Sequence, residues 1–181
     1  MEPGPARDFI PLRIAVLTVS DTRTIKDDRS GDTLVERLTG AGHHLARRRV
    51  VTDDVDVIRG AVAAWSADPA IDVVITTGGT GFTGRDVTPE AIEPLFEKRM
   101  DGFSAVFHRI SFEKIGVSTI QSRATAGLVA QTFVFVLPGS PGACRDAWDG
   151  ILASQLDYRH RPCNFVEILP RLDEHLRRGA R

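Results

Sequence analysis

Several chemistries are excluded by what the chain has little of. Among 181 residues there are two cysteines, Cys144 and Cys163, which form no C-x-x-C pair and join no His/Cys cluster with zinc spacing. A thiol redox motif and a zinc finger are therefore excluded. Two free thiols are expected, and a disulfide between them stays open. No stretch approaches the roughly 18 apolar residues of a membrane span. The opening MEPGPARDFIPL lacks the basic segment and apolar run of a signal peptide. A cytoplasmic protein without a membrane partner is expected. Charge of one sign is missing too: 23 basic against 24 acidic residues leave a net charge of -1, so no global field draws the chain to nucleic acid. The Arg47-Arg48-Arg49 run does not change this, because side chains on a strand alternate between its faces.

What is present is an ordinary globular composition, 42% hydrophobic and 26% charged, in a chain of single-domain length. RIAVLTVS (13–20), HHLARRRVV (43–51), IDVVITT (71–77) and TFVFVLPG (132–139) read as strands. Helices are expected from a Ser30 cap to about Ala41, from an Asp53 or Asp54 cap over 55–66, from a Thr88 cap followed by Pro89 to about Arg99 with an interruption at Pro94, over about 103–113, and over 141–156. Residues 117–131 stay ambiguous, and a short helix is possible near 170–178. The alternation gives an α/β fold of three layers, a mostly parallel central sheet with helices on both faces. Residues 1–12 are expected to be a flexible arm, 13–165 the domain and 166–181 a tail.

Ligands of such sheets bind beyond the carboxyl ends of the strands. Here those ends are polar or turn-forming: Ser20-Asp21, Thr52-Asp53-Asp54, Gly78 to Gly81, and Pro138-Gly139-Ser140. The richest is ITTGGTGFTGRDVTPEA (75–91). Gly79, Gly81 and Gly84 have the G-x-G-x-x-G spacing, but a dinucleotide fingerprint should follow the first strand and open directly into a helix. This one follows the third, with Arg85, Asp86 and Val87 intervening, and no acidic residue stands at a later strand end for a ribose. Gly78, Gly79, Thr80 and Gly81 suit a phosphate, since glycine lets backbone N–H groups approach an anion closely. A carboxylate beside a phosphate loop implies a cation between them, and Asp86 with Asp53 could supply the carboxylates of a Mg²⁺ site. The competing reading is local: Asp53 caps a helix and Asp86 shapes a turn. Cys144 has no histidine at a motif position beside it, which favours small-residue packing.

TVSDT (18–22), TTGGTG (76–81) with RDVTPEA (85–91), SRATAG (122–127), LPGSPGACRDAW (137–148) and RPCNF (161–165) resemble the MoaB/Mog family of molybdenum cofactor biosynthesis proteins, its MoaB branch most of all. The likeness runs from about Arg13 to Phe165. It implies a homotrimer or a hexamer of two trimers. It also implies adenylylation of molybdopterin by Mg-ATP, with release of pyrophosphate. By the resemblance, Asp53 and Asp86 would be catalytic and hold Mg²⁺, and Gly78, Gly79, Thr80 and Gly81 would cradle the nucleotide phosphates. Ser20, Asp21, Ser122, Arg123, Pro138, Gly139 and Ser140 would contact molybdopterin, with Arg123 facing its phosphate. The alternative within the family is a molybdopterin-binding or scaffolding protein without turnover.

Overall fold

Strand β1 (Arg13–Val19) sends Ile14 and Val16 to one face of a sheet and Ala15, Leu17 and Val19 to the other, and all five are buried. A strand apolar on both faces must be covered on both. The structure, a computed structural model describing residues 6–174, does this with two helical layers. The remaining strands are β2 (His44–Val51), β3 (Val73–Thr77), β4 (Lys98–Arg99), β5 (Thr125–Val129) and β6 (Thr132–Leu137), in the order β2-β1-β3-β6-β5-β4. The first four in that order are parallel, and β5 and β4 are added antiparallel at one edge.

Helices α1 (Arg29–Gly40), α4 (Asp101–Ile115) and α5 (Pro141–Ala147) cover the face of Ile14, Ile75 and Phe135. α5 continues through a π-helical segment, Trp148–Leu152, to Ala153–Gln155. Helices α2 (Val55–Ser66) and α3 (Thr88–Ile92) cover the face of Leu17, Val74 and Val136. The three-layer α/β arrangement expected from the sequence is therefore observed. No helix among the described residues is long and apolar enough to cross a membrane.

Several local expectations change. The N-cap of α1 is Asp28 rather than Ser30: its carboxylate accepts the Gly31 N–H at 2.9 Å. Asp28 is fully buried, and the Thr18 hydroxyl (2.7 Å) and Arg48 (3.1 Å) meet its other oxygen. The capping carboxylate thus has partners at both oxygens, the condition for keeping a charge inside. The helix after Pro89 does not reach Arg99. It ends at Ile92, tightens into a 3₁₀ turn (Glu93–Leu95) around Pro94, and leads into β4. The ambiguous 117–131 region holds a 3₁₀ turn, Gly116–Gln121, and then β5, which turns back into β6 at Ala130 with φ 53°.

Residues 6–12, read as part of a loose arm, lie against the body: Arg7 pairs with Glu167, and the Phe9 ring sits 5.0 Å from that of His43. In the tail, Val166 is buried and a 3₁₀ turn spans Leu169–Arg171; the possible helix near 170–178 falls partly outside the described residues. Both cysteines are free, Cys144 buried and Cys163 exposed.

His43 and His44 point to opposite sides, as adjacent strand-edge residues should, and His43 is buried where its Nδ1 accepts the Leu12 N–H at 3.1 Å. Burial, reinforced by His44 and opposed by Asp157, holds the His43 imidazole below its usual range. The unfolded chain therefore takes up this proton first as pH falls through about 6.5, and stability drops from there downward by at most about 1.4 kcal/mol per pH unit. Urea midpoints between pH 7.5 and 5.5 should fall for the parent. They should fall less steeply for His43→Asn, which keeps an acceptor near the same place but cannot titrate; equal slopes would assign the acid sensitivity elsewhere.

Candidate functional site

The chain leaves β1 for β2 on one side and returns to β3 on the other, so the sheet has its switch point between the ends of β1 and β3. The glycine loop comes directly after β3 at that point. Gly78 has φ 103° and Gly79 φ 65°, and a Cβ on Gly78 would lie 2.2 Å from the carbonyl oxygen of Val19. A side chain is excluded there by both torsion and space. Thr88 fixes the turn: its hydroxyl donates to the Gly78 carbonyl at 2.8 Å and its N–H to the Gly79 carbonyl at 3.0 Å. Thr88, expected as a cap, is the first residue of α3, with Val87 in the cap position. The N–H groups of Gly79 and Thr80 donate to no acceptor among the described residues. Gly84 has open space around its α-carbon and no left-handed torsion. The third glycine of the G-x-G-x-x-G spacing thus carries no structural demand, which agrees with setting the dinucleotide reading aside.

Two carboxylates flank this loop. A Cβ on Gly79 would lie 3.0 Å from Asp53 Oδ1, and one on Gly81 would lie 2.8 Å from Asp86 Oδ2. The local reading of Asp53 fails, because the α2 cap is Asp54, which accepts the N–H groups of Asp56 (3.0 Å) and Val57 (2.9 Å). Asp53 is left facing the crevice. Burial, together with the charge of Asp21, pushes its carboxyl above the usual range. The local reading of Asp86 does describe a real contact, since it accepts the Thr83 hydroxyl at 2.6 Å and the Thr83 N–H at 2.9 Å. Burial would raise Asp86, but these donors and the Gly81 N–H outweigh it and hold the carboxyl below its usual range.

Asp21 reaches across the crevice. One oxygen accepts the Asp53 N–H at 3.1 Å and the other pairs with Arg85, which lowers its carboxyl. Ser20 belongs to the same loop, and its hydroxyl accepts the N–H groups of Thr22 and Arg23. At the end of β6, Ser140 caps α5 through the Ala143 N–H at 3.1 Å, and Gly139 packs against Gly78. The Pro138 carbonyl accepts the Thr77 hydroxyl at 2.8 Å. Cys144 lies beneath it with its thiol pushed up to about 11 by burial, so it is protonated and serves as packing.

Arg123 does not stand free to receive a phosphate. Its guanidinium donates to the carbonyls of Gly81 (2.9 Å) and Asp86 (2.8 Å), to Thr80 at 3.3 Å, and to Glu90, and it lies 5.4 Å from the Phe82 ring. It ties the loop together. Ser122 is turned away, its hydroxyl accepting the Ala124 N–H and its carbonyl lying 3.0 Å from His108 Nε2. Sequence reasoning missed Arg85, Thr88 and Glu90 as parts of this site. All three stand in the RDVTPEA segment, but polar residues after a glycine loop give no sign of their partners.

Known proteins share this architecture. Residues 15–158 match the model of a probable molybdopterin-binding domain. Molybdenum cofactor biosynthesis protein B of Escherichia coli K12 is 51% identical over 158 residues, covering 87% of this chain and 93% of that one. A crystal structure of a molybdenum cofactor biosynthesis protein B superposes with a TM-score of 0.79 at 37% identity, over 95% of this chain and 99% of the other. The tungsten cofactor synthesizing protein MoaB from Pyrococcus furiosus gives 0.68 at 37% identity, over 80% and 92%.

The crowding at the loop can be measured. Gly79→Ala must place a methyl 2.3 Å from the Thr88 hydroxyl at positive φ and should cost about 2 kcal/mol or more, a clear fall in melting temperature. Gly84→Ala should stay within about 0.5 kcal/mol of the parent. Equal tolerance at both positions would contradict the geometry.

Proposed function

The chain belongs to the family of probable molybdopterin-binding domains, and from that premise we propose that it adenylylates molybdopterin with Mg-ATP in molybdenum cofactor biosynthesis. The observation that carries this reading is the placement of Asp53 and Asp86 beside one four-residue loop whose N–H groups at Gly79 and Thr80 have no acceptor among the described residues. In the reaction, a phosphate oxygen of molybdopterin bonds to the α-phosphorus of ATP. The bond from that phosphorus to the α,β-bridging oxygen breaks, and pyrophosphate leaves with the electron pair. The nucleophile is already an anion, so no Ser–His–Asp device is needed. The protein's share is positioning and charge compensation.

The residues fit Mg²⁺ in company with substrate rather than a metal cage of their own. Among the described residues no group of three or more His, Cys, Asp or Glu side chains could hold an ion. Mg²⁺ characteristically takes one or two carboxylates plus substrate phosphates, and Asp53 and Asp86 would supply them. The ion would neutralise phosphate charge in the crevice. The raised carboxyl of Asp53, half-buried beside Asp21 with no side-chain donor bonded to it among the described residues, is the group a nearby cation would relieve.

On this reading Gly78, Gly79, Thr80 and Gly81 cradle the nucleotide phosphates. Ser20, Asp21, Pro138, Gly139 and Ser140 border the molybdopterin, and Arg123 acts by holding the loop. The family likeness also suggests a trimer or hexamer. α4 and the turn after it expose Val106, Phe112, Ile115, Val117 and Ile120, an apolar surface of the kind that self-association covers.

Purified protein with molybdopterin and Mg-ATP should yield adenylyl-molybdopterin and pyrophosphate. Asp86→Asn and Asp53→Asn should each lower the rate by about 10²–10³. Asp53→Asn should do so without a loss of melting temperature, since it removes charge repulsion with Asp21. Bound molybdopterin with no product from the parent would instead support a scaffolding role.

A further inference from the structure

Three arginines stand on the loops around the crevice, and two are spent. Arg85 is paired with Asp21, and Arg123 with Glu90 and three loop carbonyls. The third is Arg23. It is exposed and makes no ion pair among the described residues. Its contacts are long and neutral: one guanidinium nitrogen lies 3.3 Å from the Gly139 carbonyl and 3.5 Å from the Ser30 hydroxyl. Asp27, on the same loop, is turned back to the Thr24 hydroxyl at 2.7 Å. Arg23 is also placed from behind, because its own N–H donates to Ser20 at 3.2 Å. It therefore bridges the loop after β1 and the loop after β6. On its other side, away from the Gly139 loop, it lines a cavity of about 390 Å³ with Ser20, Asp21, Arg48, Arg49 and Thr52. Of the other lining cations, Arg48 is committed to Asp28 and Asp32, and Arg49, exposed on β2, makes no hydrogen bond to the Gly139 loop among the described residues, so the bridge to Gly139 is what sets Arg23 apart.

An unpaired guanidinium held at the edge of a crevice by two weak neutral acceptors has donors to give to an anion, and a phosphate oxygen is a far stronger acceptor than a carbonyl. We infer that Arg23, not Arg123, is the arginine that binds a substrate phosphate, in a subsite between the Ser20 loop and the Gly139 loop. This rests on the proposed adenylyl transfer for the identity of the substrate. The shared chemistry is a phosphate group, from either the molybdopterin monoester or the nucleotide polyphosphate. Nothing in the sequence patterns marked Arg23, which sits one residue past the TVSDT segment.

The test is calorimetric titration with inorganic pyrophosphate in the presence of Mg²⁺ of the full chain, Arg23→Ala, Arg23→Lys and the equal-charge control Arg47→Ala. Arg47 points to Asp68, in the loop that precedes β3 at the opposite end of the sheet. Arg23→Ala should weaken pyrophosphate about tenfold, Arg23→Lys should recover much of it, and Arg47→Ala should bind like the parent. Turnover then identifies the source. A rise in KM confined to molybdopterin assigns the subsite to the pterin phosphate, and one confined to ATP assigns it to the nucleotide. If the parent forms no adenylyl-molybdopterin but binds pyrophosphate through Arg23, adenylyl transfer fails and the phosphate subsite stands. Pyrophosphate binding that is absent in the parent, or unchanged in Arg23→Ala, overturns the inference whatever the turnover.

Discussion

The site depends on one close approach, the Val19 carbonyl against the α-carbon of Gly78. Parallel pairing of β1 with β3 places Thr18 opposite Thr77, so the two strands end together and the chain leaving β3 has to pass the end of β1. With 2.2 Å available where a Cβ would go, only glycine passes. The required turn is left-handed at two successive residues. That turn decides where the backbone groups of the loop go. The carbonyls of Gly78 and Gly79 fall to Thr88, those of Thr80, Gly81 and Asp86 fall to Arg123, and the Gly79 and Thr80 N–H groups keep no acceptor among the described residues. A loop whose carbonyls are all taken by the protein itself leaves its remaining donors for an anion.

The electrostatics of the crevice are set by which group meets which. Asp53 and Asp86 are the same residue type with opposite perturbations: burial raises both, but three donors overcome it at Asp86, while at Asp53 the Asp21 charge adds to it and one backbone N–H and Arg85 do not offset the sum. Asp21 would add a third negative charge, but Arg85 neutralises it across the gap. The crevice thus carries its positive charge at the margin and its uncompensated carboxylate near the glycine loop. Charge placed this way favours a ligand bringing both a cation and phosphates over a bare anion, which Asp53 would repel.

The fold was legible because its signals are local. Runs such as VVITT and TFVFVL are buried along their whole length and need no partner to be read as strands. The polar strand ends do lie together at one edge of the sheet, where Gly78 meets Val19 and Gly139, and Gly79 meets Asp53. What stayed hidden was partner choice. Asp53 and Asp54 are equivalent in sequence, and only the backbone geometry decides that Asp54 caps α2 and so leaves Asp53 to the crevice. Ser30 and Thr88 carry cap chemistry, yet long-range acceptors, Gly139 and Gly78, take their hydroxyls instead. The resemblance implies a phosphate partner for Arg123, and no sequence pattern shows the four acceptors drawn from residues 80–90 that hold its side chain in the structure. The β5 strand was obscured by Ala126-Gly127, where a Cβ on Gly127 would meet the Phe96 ring at 2.5 Å, so a weak strand former is kept for a packing reason.

The antiparallel edge has a functional logic that the parallel strands do not share. Ser20, Thr52-Asp53, Gly78 and Pro138 all come after their strands, because a parallel strand delivers its carboxyl end to the crevice. The SRATAG segment begins before its strand. β5 runs opposite to β6, with Thr125 beside Val136 and Val129 beside Thr132, so the beginning of β5 lies at the edge where β6 ends. Reversing one strand brings an amino-terminal flank, and with it Arg123, to a place that parallel order reserves for carboxyl ends. From there Arg123 donates its backbone N–H to the Thr80 carbonyl as well as its side chain to the loop. A fifth parallel strand would deliver its carboxyl end there and carry the residues before it to the opposite edge. The short turn at Ala130-Gln131 that joins β5 to β6 is therefore tied to the shape of a loop at the far end of the sheet.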